Sequence, residues 1–404
     1  MHEQHRRGYR MRKELQGIRV VHAATCANML IAFDRVLARK LIEQGAELHL
    51  LASSLVIYGR APDIEDLRSL GGTPYTVALP AGVHPWASFK AVIAIYRLFR
   101  EIKPDIVHTR GSVMGAVGRV AARLARVPHV VHHQDDLHAR ETRLSSPLRW
   151  LVARVESFLS RFSDNNFFVS GAVQSDAIRQ GFRAEDAVMV GHDLSDWVAA
   201  ELATAGPQAA SPAALIRQHG FNPEHFVVGC ISRLEAHKGI DVLIRAAADV
   251  CSEFDSVRFF IRGNGPERSA LQQLIRDLRL EDRVVLVHDW LDQEGLADLL
   301  RSFDLFALPT RREGFGMVFA EAMAFGVVPV GSDIAPVNEV IPPGAGLLVE
   351  PTVHGFADAI RQCASDRQRL AEMSAAARKL AQERWGGTAA ADRVVAVYKD
   401  LLGR

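Results

Sequence analysis

The sequence lacks the features of several large protein classes. It has four cysteines in 404 residues and no Cys-x-x-Cys pair, which argues against a structural zinc site or a disulfide scaffold and fits a reducing cytosol. No apolar run reaches about 18 residues, so no membrane span is expected. The formal net charge is +1, which does not imply a broad nucleic-acid surface, and we expect no nucleic-acid partner.

The sequence also lacks the strand–Gly-x-Gly-x-x-Gly–helix unit of dinucleotide-binding dehydrogenases. The turn Gly263-Asn264-Gly265-Pro266 has no third glycine, and we interpret it as a structural turn close to a nucleotide. The N-terminus carries five basic residues from Arg6 to Lys13 with no apolar stretch behind them, so it does not have the pattern of a secretory signal. A solvated tail is the first interpretation of this run, and weak attraction to anionic lipid head groups is the alternative.

Short apolar runs alternate with amphipathic helical stretches along the whole chain. This alternation predicts βα units around parallel sheets, beginning with a strand at Ile18–Val21. Other predicted strands lie at Val227–Ile231 and Val284–Val287. The pattern also predicts a helix near Leu30–Gln44 and a helical stretch from Phe356 to Leu402 that breaks near Gly386-Gly387. The small, proline-bearing stretch at residues 202–213 is the best candidate for an interdomain linker. We therefore predict an α/β chain with two Rossmann-like domains, residues 1–200 and 201–386. Open sheets of this kind bind ligands at the carboxyl ends of their strands, which predicts a cleft between the domains.

The most informative stretch runs from Arg311 to Gly326. It places two carboxylates, Glu313 and Glu321, on either side of a Gly-Phe-Gly turn that leads into an apolar helix start. Glycines let the backbone approach a bulky ligand closely, and the N–H groups of a helix start attract phosphate. We therefore expect Glu313 to hold sugar hydroxyls and Glu321 to hold ribose hydroxyls. The stretch fits a sugar that is attached to a nucleotide diphosphate.

A second loop carries two cations. Arg233 and Lys238 lie five positions apart, after a predicted strand and before a predicted helix. Two cations at such an edge can neutralise a diphosphate leaving group without a metal. Taken alone, they fit two solvated loop charges equally well. Their position on the same predicted sheet as the Gly-Phe-Gly turn favours a role in binding.

Three histidines and two aspartates lie between His132 and His138. Strand alternation would place His132 and Gln134 on one face and His133 and Asp135 on the other, so three metal ligands do not share a face and no metal is expected. A polar wall that orients an acceptor hydroxyl is the preferred interpretation, with Asp135 accepting a proton or hydrogen-bonding a sugar. A self-satisfied network at the strand end is the alternative.

Together these motifs resemble the retaining, GT-B-fold glycosyltransferases of the large group called family 4. The resemblance extends from about Ile18 to Leu402. It rests on the Glu-x7-Glu element at 313–321, the Ser-Arg-Leu-x3-Lys-Gly element at 232–239 and the Gly-Asn-Gly-Pro turn. In the first half, the segments around His108 and Val127 resemble bacterial members that build capsule, exopolysaccharide or lipid-linked glycans.

The resemblance implies two Rossmann-like domains that face each other across a cleft, with a C-terminal helix at 387–404 that returns to the first domain. It implies a nucleotide-sugar donor bound by the second domain, with no metal or other cofactor. Arg233 and Lys238 would contact the diphosphate, Glu313 the donor sugar and Glu321 the ribose. The distal phosphate and sugar would be held by backbone N–H groups of Gly314, Phe315, Gly316, Met317 and Val318.

The first half departs from the family where an acceptor would bind. The usual glycine-rich loop after the first strand is here Thr25–Leu30, which has no glycine, and the frequent active-site histidine falls near Asp135. His133 or His138 can take the role of that histidine. The predicted catalytic residues are therefore Glu313, Asp135 and His133.

The expected function is transfer of a sugar, with retention of configuration, from a nucleotide diphosphate to a glycan or lipid-linked glycan in cell-surface polysaccharide synthesis. The alternative is a nucleotide-sugar-binding protein that has lost transferase activity. Either protein is expected in the cytoplasm, with peripheral contact at the inner face of the membrane as an option.

Overall fold

The computed structural model describes residues 14–53, 64–79, 84–137, 145–203, 214–289 and 291–404. The basic N-terminal run, His138 and residues 204–213 of the predicted linker lie outside these ranges. The strands are β1 Arg19–Ala24, β2 Glu47–Ala52, β3 Thr73–Thr76, β4 Ile106–Arg110, β5 His129–Gln134, β6 Asn165–Phe168, β7 Ala187–Met189, β8 Phe226–Ile231, β9 Val257–Arg262, β10 Val284–Val287, β11 Leu305–Leu308, β12 Val328–Ser332 and β13 Leu347–Val349.

The helices alternate with these strands, and a short 3-10 helix occupies Ala236–Lys238. The α-helices are α1 Ala27–Phe33, α2 Arg35–Glu43, α3 Ile64–Arg68, α4 Pro85–Ile102, α5 Ser112–Leu124, α6 Ser146–Ser160, α7 Gly171–Arg179, α8 Asp196–Leu202, α9 Ala214–Gln218, α10 Ile240–Cys251, α11 Arg268–Asp277, α12 Gln293–Arg301, α13 Met317–Ala324, α14 Val337–Val340, α15 Val353–Ser365, α16 Arg367–Trp385 and α17 Ala389–Leu401.

The strands form two sheets. Their orders are β3-β2-β1-β4-β5-β6-β7 and β10-β9-β8-β11-β12-β13, and the pairs β1–β4 and β8–β9 run parallel. Each sheet grows outwards in both directions from its first strand, which is the Rossmann order. The predicted fold class of two Rossmann-like α/β sheets is confirmed.

The strands of the second sheet are nearly continuous apolar runs because helices cover both faces of a parallel sheet. All four residues of β11 are buried, and so are five of the six residues of β8. The apolar helix α13 buries Phe319, Ala320 and Met323 in the same core. This packing fixes the loops that leave the carboxyl ends of β8, β9 and β11, three neighbouring strands.

Two compact units are distinguished by their internal contacts. The first comprises Met1–Gln134, Val155–Phe167 and Ala390–Arg404, and the second comprises Asp135–Arg154 and Phe168–Ala389. The division does not follow the boundary at residue 200 that the sequence predicts. That boundary stays a prediction.

Two predicted helices are each interrupted by an aspartate. The helix predicted near residues 30–44 is two helices that meet at Asp34, the residue that ends α1 and precedes α2. The helical stretch predicted from residue 356 onward breaks at Asp366 as well as near residue 386. Asp366 caps α16, because its side chain accepts a hydrogen bond from the N–H of Arg369 at 2.9 Å.

Within the described residues, no helix combines the length and the apolar character needed to cross a membrane. The four cysteines, Cys26, Cys230, Cys251 and Cys363, are all free. Burial raises the pKa of the Cys230 thiol to about 12 and that of the Cys363 thiol to about 11. These thiols are therefore protonated and unreactive at neutral pH.

Candidate active site

The loops that follow β8 and β11 are held tightly together. A Cβ atom on Gly239 would lie 2.0 Å from the carbonyl oxygen of Pro309, so only glycine permits this approach. The backbone N–H of Arg311 donates to the carbonyl of His237 at 2.7 Å, and its guanidinium donates to the carbonyl of Ala236 at 2.6 Å. These contacts fix the position of Lys238, the next residue along the 3-10 helix.

Lys238 and Glu313 form an ion pair across these two loops. The distance from Nζ of Lys238 to Oε1 of Glu313 is 2.6 Å, and the two side chains are only 13% and 10% exposed. Because both side chains are nearly buried, their charges attract each other more strongly than they would in bulk water. Removal of one partner would leave the charge of the other uncompensated. The structure therefore brings together two residues that the sequence places on separate loops, at the carboxyl edge of the second sheet.

Arg233 is the second cation of the loop after β8. Its guanidinium pairs with Glu235, whose other carboxylate oxygen lies 3.2 Å from Nδ1 of His237. Burial, with the positive charges of Lys238 and Arg312 nearby, lowers the pKa of His237 to about 4. His237 is neutral at pH 7, so the positive charge of this loop comes from Arg233 and Lys238.

The glycine turn after β9 packs directly under the loop that carries Arg233. A Cβ atom on Gly263 would lie 1.9 Å from the carbonyl oxygen of Ser232, and one on Gly265 would lie 2.4 Å from that of Leu234. The N–H of Leu234 donates to the carbonyl of Asn264 at 2.9 Å. The close approach to these carbonyl oxygens is sufficient to explain why both positions are glycine. Any contact they make with a nucleotide stays a prediction.

The Gly-Phe-Gly turn is fixed by packing on both sides. A Cβ atom on Gly314 would lie 2.0 Å from the carbonyl oxygen of Asp135, and the Ser170 hydroxyl donates to the carbonyl of Gly314 at 2.8 Å. The ring of Phe315 lies edge-on to the rings of His192 and Trp385, with centroids 5.4 and 6.1 Å away. Contacts within the protein therefore hold the turn in place.

Gly316 ends the turn and caps α13. Its φ of 97° lies in the left-handed region, which glycine adopts without strain. The helix then begins at Met317 and Val318, and a helix start leaves its first N–H groups without partners inside the helix. These donors and the positive end of the helix form a general anion-binding arrangement.

Glu321 lies in the second turn of α13, among apolar residues. Burial raises its pKa from an ordinary 4.5 to about 7, although part of the side chain still reaches solvent. Among the residues that the structure describes, none forms a hydrogen bond with this carboxylate. Glu321 is thus half protonated near neutral pH and can accept hydrogen bonds from a bound hydroxyl.

Asp135 and His133, two of the predicted catalytic residues, lie in different surroundings. Asp135 directly follows β5, and its backbone carbonyl supports Gly314. His133 is 4% exposed in the first unit, where its ring stacks on His108 at 5.6 Å and meets the edge of Phe167. Their catalytic roles stay predictions. No group of three or more His, Cys, Asp or Glu side chains within the described ranges is arranged to hold a metal ion.

Two residues that support the turn, Ser170 directly and Glu339 through the start of α7, were not predicted from the sequence. Ser170 caps α7 by accepting from the N–H of Val173, besides donating to Gly314. The Glu339 carboxylate accepts from the N–H groups of Gly171 and Ala172 at 3.0 and 2.8 Å. Serine is a preferred residue at the start of a helix, and Ser170 fits that local preference. The contact with Glu339 joins positions 168 and 167 residues apart, and no local pattern signals it.

A buried polar cluster in the first unit was not predicted from the sequence either. The rings of His22 and His108 stack at 4.3 Å, and Arg110 forms a buried ion pair with Asp34. The hydroxyl of Tyr398 lies 2.8 Å from Nδ1 of His108. Burial is the main cause that lowers the pKa of both histidines, so they are neutral at pH 7.

Two family patterns match the chain. Residues 213–380 match the family Glycosyl transferases group 1, and residues 35–192 match the family Glycosyl transferase 4-like domain. The N-acetyl-alpha-D-glucosaminyl L-malate synthase of Bacillus anthracis is 30% identical over 190 residues, 46% of this chain and 49% of that protein. The lipopolysaccharide core biosynthesis mannosyltransferase LpsB of Rhizobium meliloti is 29% identical over 192 residues, 45% of this chain and 54% of that protein. The chain thus spans about half the length of these curated relatives.

Solved structures share the fold over nearly the whole chain. The crystal structure of Anabaena HepE in complex with UDP and glucose has a TM-score of 0.77 and 22% identity, covering 95% of this chain and 100% of that one. Sucrose-phosphate synthase from Thermosynechococcus elongatus has a TM-score of 0.75 and 20% identity, covering 95% and 99%. At these identities the likeness shows the fold alone. With the two family patterns, it confirms that the chain belongs to the GT-B-fold glycosyltransferases of the family 4 type.

Proposed function

We propose that the protein is a retaining glycosyltransferase that moves a sugar from a nucleotide diphosphate to a glycan or lipid-linked glycan in cell-surface polysaccharide synthesis. The observation that carries the proposal is the Lys238–Glu313 pair at 2.6 Å, beside the glycine turn that leads into α13. A cation, a sugar-binding carboxylate and a row of N–H donors are what a nucleotide-sugar donor requires.

The diphosphate would bind to Lys238, Arg233 and the start of α13. An ammonium group has three donors, so Lys238 can keep its bond to Glu313 and still donate to a phosphate oxygen. Arg233 is 45% exposed and adds a second charge-assisted bond. The N–H groups from Gly314 to Val318 add neutral donors and the positive end of the helix dipole. Because these groups neutralise the leaving phosphate, we infer that transfer requires no metal.

Glu313 would accept hydrogen bonds from the donor sugar, and Glu321 from the ribose. In the proposed step the bond from the anomeric carbon to the phosphate oxygen breaks, and a bond to the acceptor oxygen forms on the same face. The proton of the acceptor hydroxyl passes to the departing phosphate oxygen. Leaving-group stabilisation then matters more than a strong base, and the two-carboxylate arrangement of glycoside hydrolases is not needed.

The donor and the acceptor are proposed from the relatives. HepE was crystallised with UDP-glucose, and a relative in Mycobacterium tuberculosis, 32% identical over 195 residues, is named as GDP-mannose-dependent. These names support a sugar nucleotide and leave uridine and guanosine as the bases to test first. LpsB supports a lipopolysaccharide-type glycan acceptor. Sugar nucleotides and free cysteines both favour the cytoplasm.

The test is turnover of UDP-, GDP-, ADP- and dTDP-sugars, measured as nucleotide release with and without a lipid-linked glycan acceptor. We expect one donor to be used, and Glu313→Gln and Lys238→Ala to lower its rate by about two to three orders of magnitude. Lys379→Ala is the matched control, because Lys379 also pairs with a glutamate but is 78% exposed on α16.

Wild-type rates in both site variants would refute the assignment of the site. Donor binding without transfer or hydrolysis would favour the alternative, a nucleotide-sugar-binding protein. This alternative is supported by the sequence of the first half, where Thr25–Leu30 stands in place of the usual glycine-rich loop.

A further inference from the structure

Each arginine and lysine in the loops after β8 and β11 has a carboxylate partner. The ion pairs are Arg233–Glu235, Lys238–Glu313, Arg311–Asp241 and Arg312–Asp136. All of these side chains belong to the second unit. Because the paired charges cancel, the two loops contribute almost no net charge to a site whose proposed ligand is an anion.

Glu235 neutralises Arg233, which is more exposed than Lys238, the other cation of the loop after β8. Oε1 of Glu235 pairs with the guanidinium, and Oε2 lies 3.2 Å from Nδ1 of His237. The pKa of His237 is about 4, so this ring carries no charge at pH 7 and the guanidinium of Arg233 is the charge that balances Glu235. The side chains of Arg233 and Glu235 are 45% and 24% exposed, so a ligand in the solvent can reach both.

The backbone holds Glu235 and Arg233 in one tight turn. The N–H of Glu235 donates to the carbonyl of Arg233 at 3.0 Å, and the N–H of Lys238 donates to the carbonyl of Glu235 at 2.9 Å. Glu235 directly precedes the 3-10 helix at Ala236–Lys238. Its carboxylate therefore stays beside the guanidinium when the guanidinium binds an anion, and its negative charge acts on that anion.

The charge of the nucleotide changes during the proposed reaction. In the sugar nucleotide, the distal phosphate is linked to the sugar and carries about one negative charge. In the released nucleoside diphosphate, this phosphate has a second ionisation with a pKa of about 6, so it carries about two negative charges at pH 8. A fixed carboxylate beside the cation that holds this phosphate therefore opposes the product more strongly than the donor.

Given the proposed sugar transfer, on which this inference rests, we propose that Glu235 shifts the preference of the site from the released nucleoside diphosphate towards the sugar nucleotide. Arg233 alone would attract the distal phosphate of the product more strongly than that of the donor, because attraction grows with charge. Glu235 opposes this gain, because its repulsion grows with the same charge. Without Glu235, the product of each turnover would stay bound more tightly and would compete with the next donor.

The test is a comparison of donor and product affinities by isothermal titration calorimetry at about pH 8. The ligands are UDP-glucose, GDP-mannose, ADP-glucose and dTDP-glucose, each with its own nucleoside diphosphate. For the base that binds, Glu235→Gln should tighten the binding of the product about tenfold and that of the donor about threefold, because the distal phosphate of the product carries about twice the charge. The ratio of the product Kd to the donor Kd should therefore fall about threefold.

Two other variants are controls. Glu235→Asp keeps the negative charge and should keep the wild-type ratio. Glu253→Gln removes a glutamate that pairs with Arg361 at 2.7 Å but lies between α10 and β9, at the opposite edge of the sheet, so it should change neither affinity. Glu235 lines a cavity of about 220 Å³ with Ala236 and Arg311, so an amide there keeps access to water and Glu235→Gln should melt within a few degrees of the wild type.

A double-mutant cycle separates repulsion of the ligand from orientation of Arg233. Arg233→Ala should weaken the binding of the product, and Glu235→Gln added to it should recover at least about threefold, because the remaining carboxylate repels phosphate with no guanidinium beside it. If Glu235 served only to orient Arg233, Glu235→Gln would weaken binding in the wild-type background and have no effect in Arg233→Ala.

An unchanged ratio of the two Kd values in Glu235→Gln, or weaker binding of the product, would overturn the role of Glu235. If binding is also lost in Lys238→Ala, such a result leaves the proposed donor site intact. A failure of the donor site has a different outcome: no nucleotide binds the wild type, or Lys238→Ala binds the same nucleotides as tightly as the wild type. Either of these results would refute the site and the role of Glu235 together.

Discussion

The titration of Glu321 should give the proposed donor site a pH signature. Its carboxyl has a pKa of about 7 in the free protein because it is buried among apolar residues of α13. The ionised fraction therefore rises from about one tenth near pH 6 to about nine tenths near pH 8. If ribose hydroxyls donate to the carboxylate, a nucleotide binds the ionised form better. Its affinity should then increase by up to about tenfold over that interval.

The assay is nucleotide affinity against pH in the wild type and in Glu321→Gln. The amide still accepts hydrogen bonds from hydroxyls but does not titrate, so the variant should lose the pH dependence that the carboxyl causes. The terminal phosphate of the nucleotide also titrates, but equally in both proteins, and the ratio of the two affinities removes it. His237 does not contribute, because its pKa of about 4 lies below the interval.

The same carboxyl affects stability with a definite sign. Its pKa is raised on folding, so the folded state binds more protons between about pH 4.5 and pH 7, and the free energy of unfolding falls as pH rises through that range. The full shift of the Glu321 pKa corresponds to a loss of about 3 kcal/mol. The actual loss should be smaller, because the side chain keeps some access to solvent. In the affinity measurement, parallel curves of nucleotide affinity against pH in the wild type and Glu321→Gln would refute the proposed contact between Glu321 and the ribose.

Packing and burial determine the expected effects of three other changes. Gly314→Ala should abolish nucleotide binding and lower the free energy of unfolding by about 1–3 kcal/mol, because the new methyl group would meet a backbone carbonyl. Gly387→Ala is the control: a methyl group there has open space, so this variant should change neither nucleotide binding nor the thermal unfolding curve. Tyr398→Phe removes a hydroxyl that bonds to His108 and should cost about 1 kcal/mol, measured by urea unfolding. Burial lowers the pKa of His22 and His108, so stability should be lost as pH falls below about 6.5. The measurement is made in Glu321→Gln, because the Glu321 carboxyl has the opposite effect on stability in the same range; a free energy of unfolding that stays flat there from about pH 6.5 to pH 5 would contradict this last prediction.

The sequence predicts the sheets well because buried parallel strands are continuous apolar runs. The strand predicted at 284–287 is β10, and the strand predicted at 227–231 differs from β8 by one residue. It predicts helix ends less well where a single side chain decides them. Asp34 and Asp366 lie inside stretches with helical periodicity, and each ends a helix for a different reason. Asp366 caps the next helix, and Asp34 pairs with a buried arginine from β4.

How much of the site the sequence predicts depends on how far apart the contacting residues lie along the chain. The loops with Lys238 and Glu313 follow strands of one sheet, so their shared edge was predictable, and the structure joins them. The contact of Gly314 with the carbonyl of Asp135, and that of Tyr398 with His108, connect segments 179 and 290 residues apart. Neither composition nor periodicity contains that information, because it arises only when the elements pack.

The proposed function requires a nucleotide-sugar site that depends on Lys238. The most direct measurement is thermal unfolding of the wild type and Lys238→Ala with UDP, GDP, ADP and dTDP and their common sugars. A ligand at about 100 times its Kd adds about 2.7 kcal/mol to the free energy of unfolding. We predict that one nucleotide stabilises the wild type by about this amount and leaves Lys238→Ala unchanged. Stabilisation of neither protein by any nucleotide, or of both proteins equally, would contradict the proposed site.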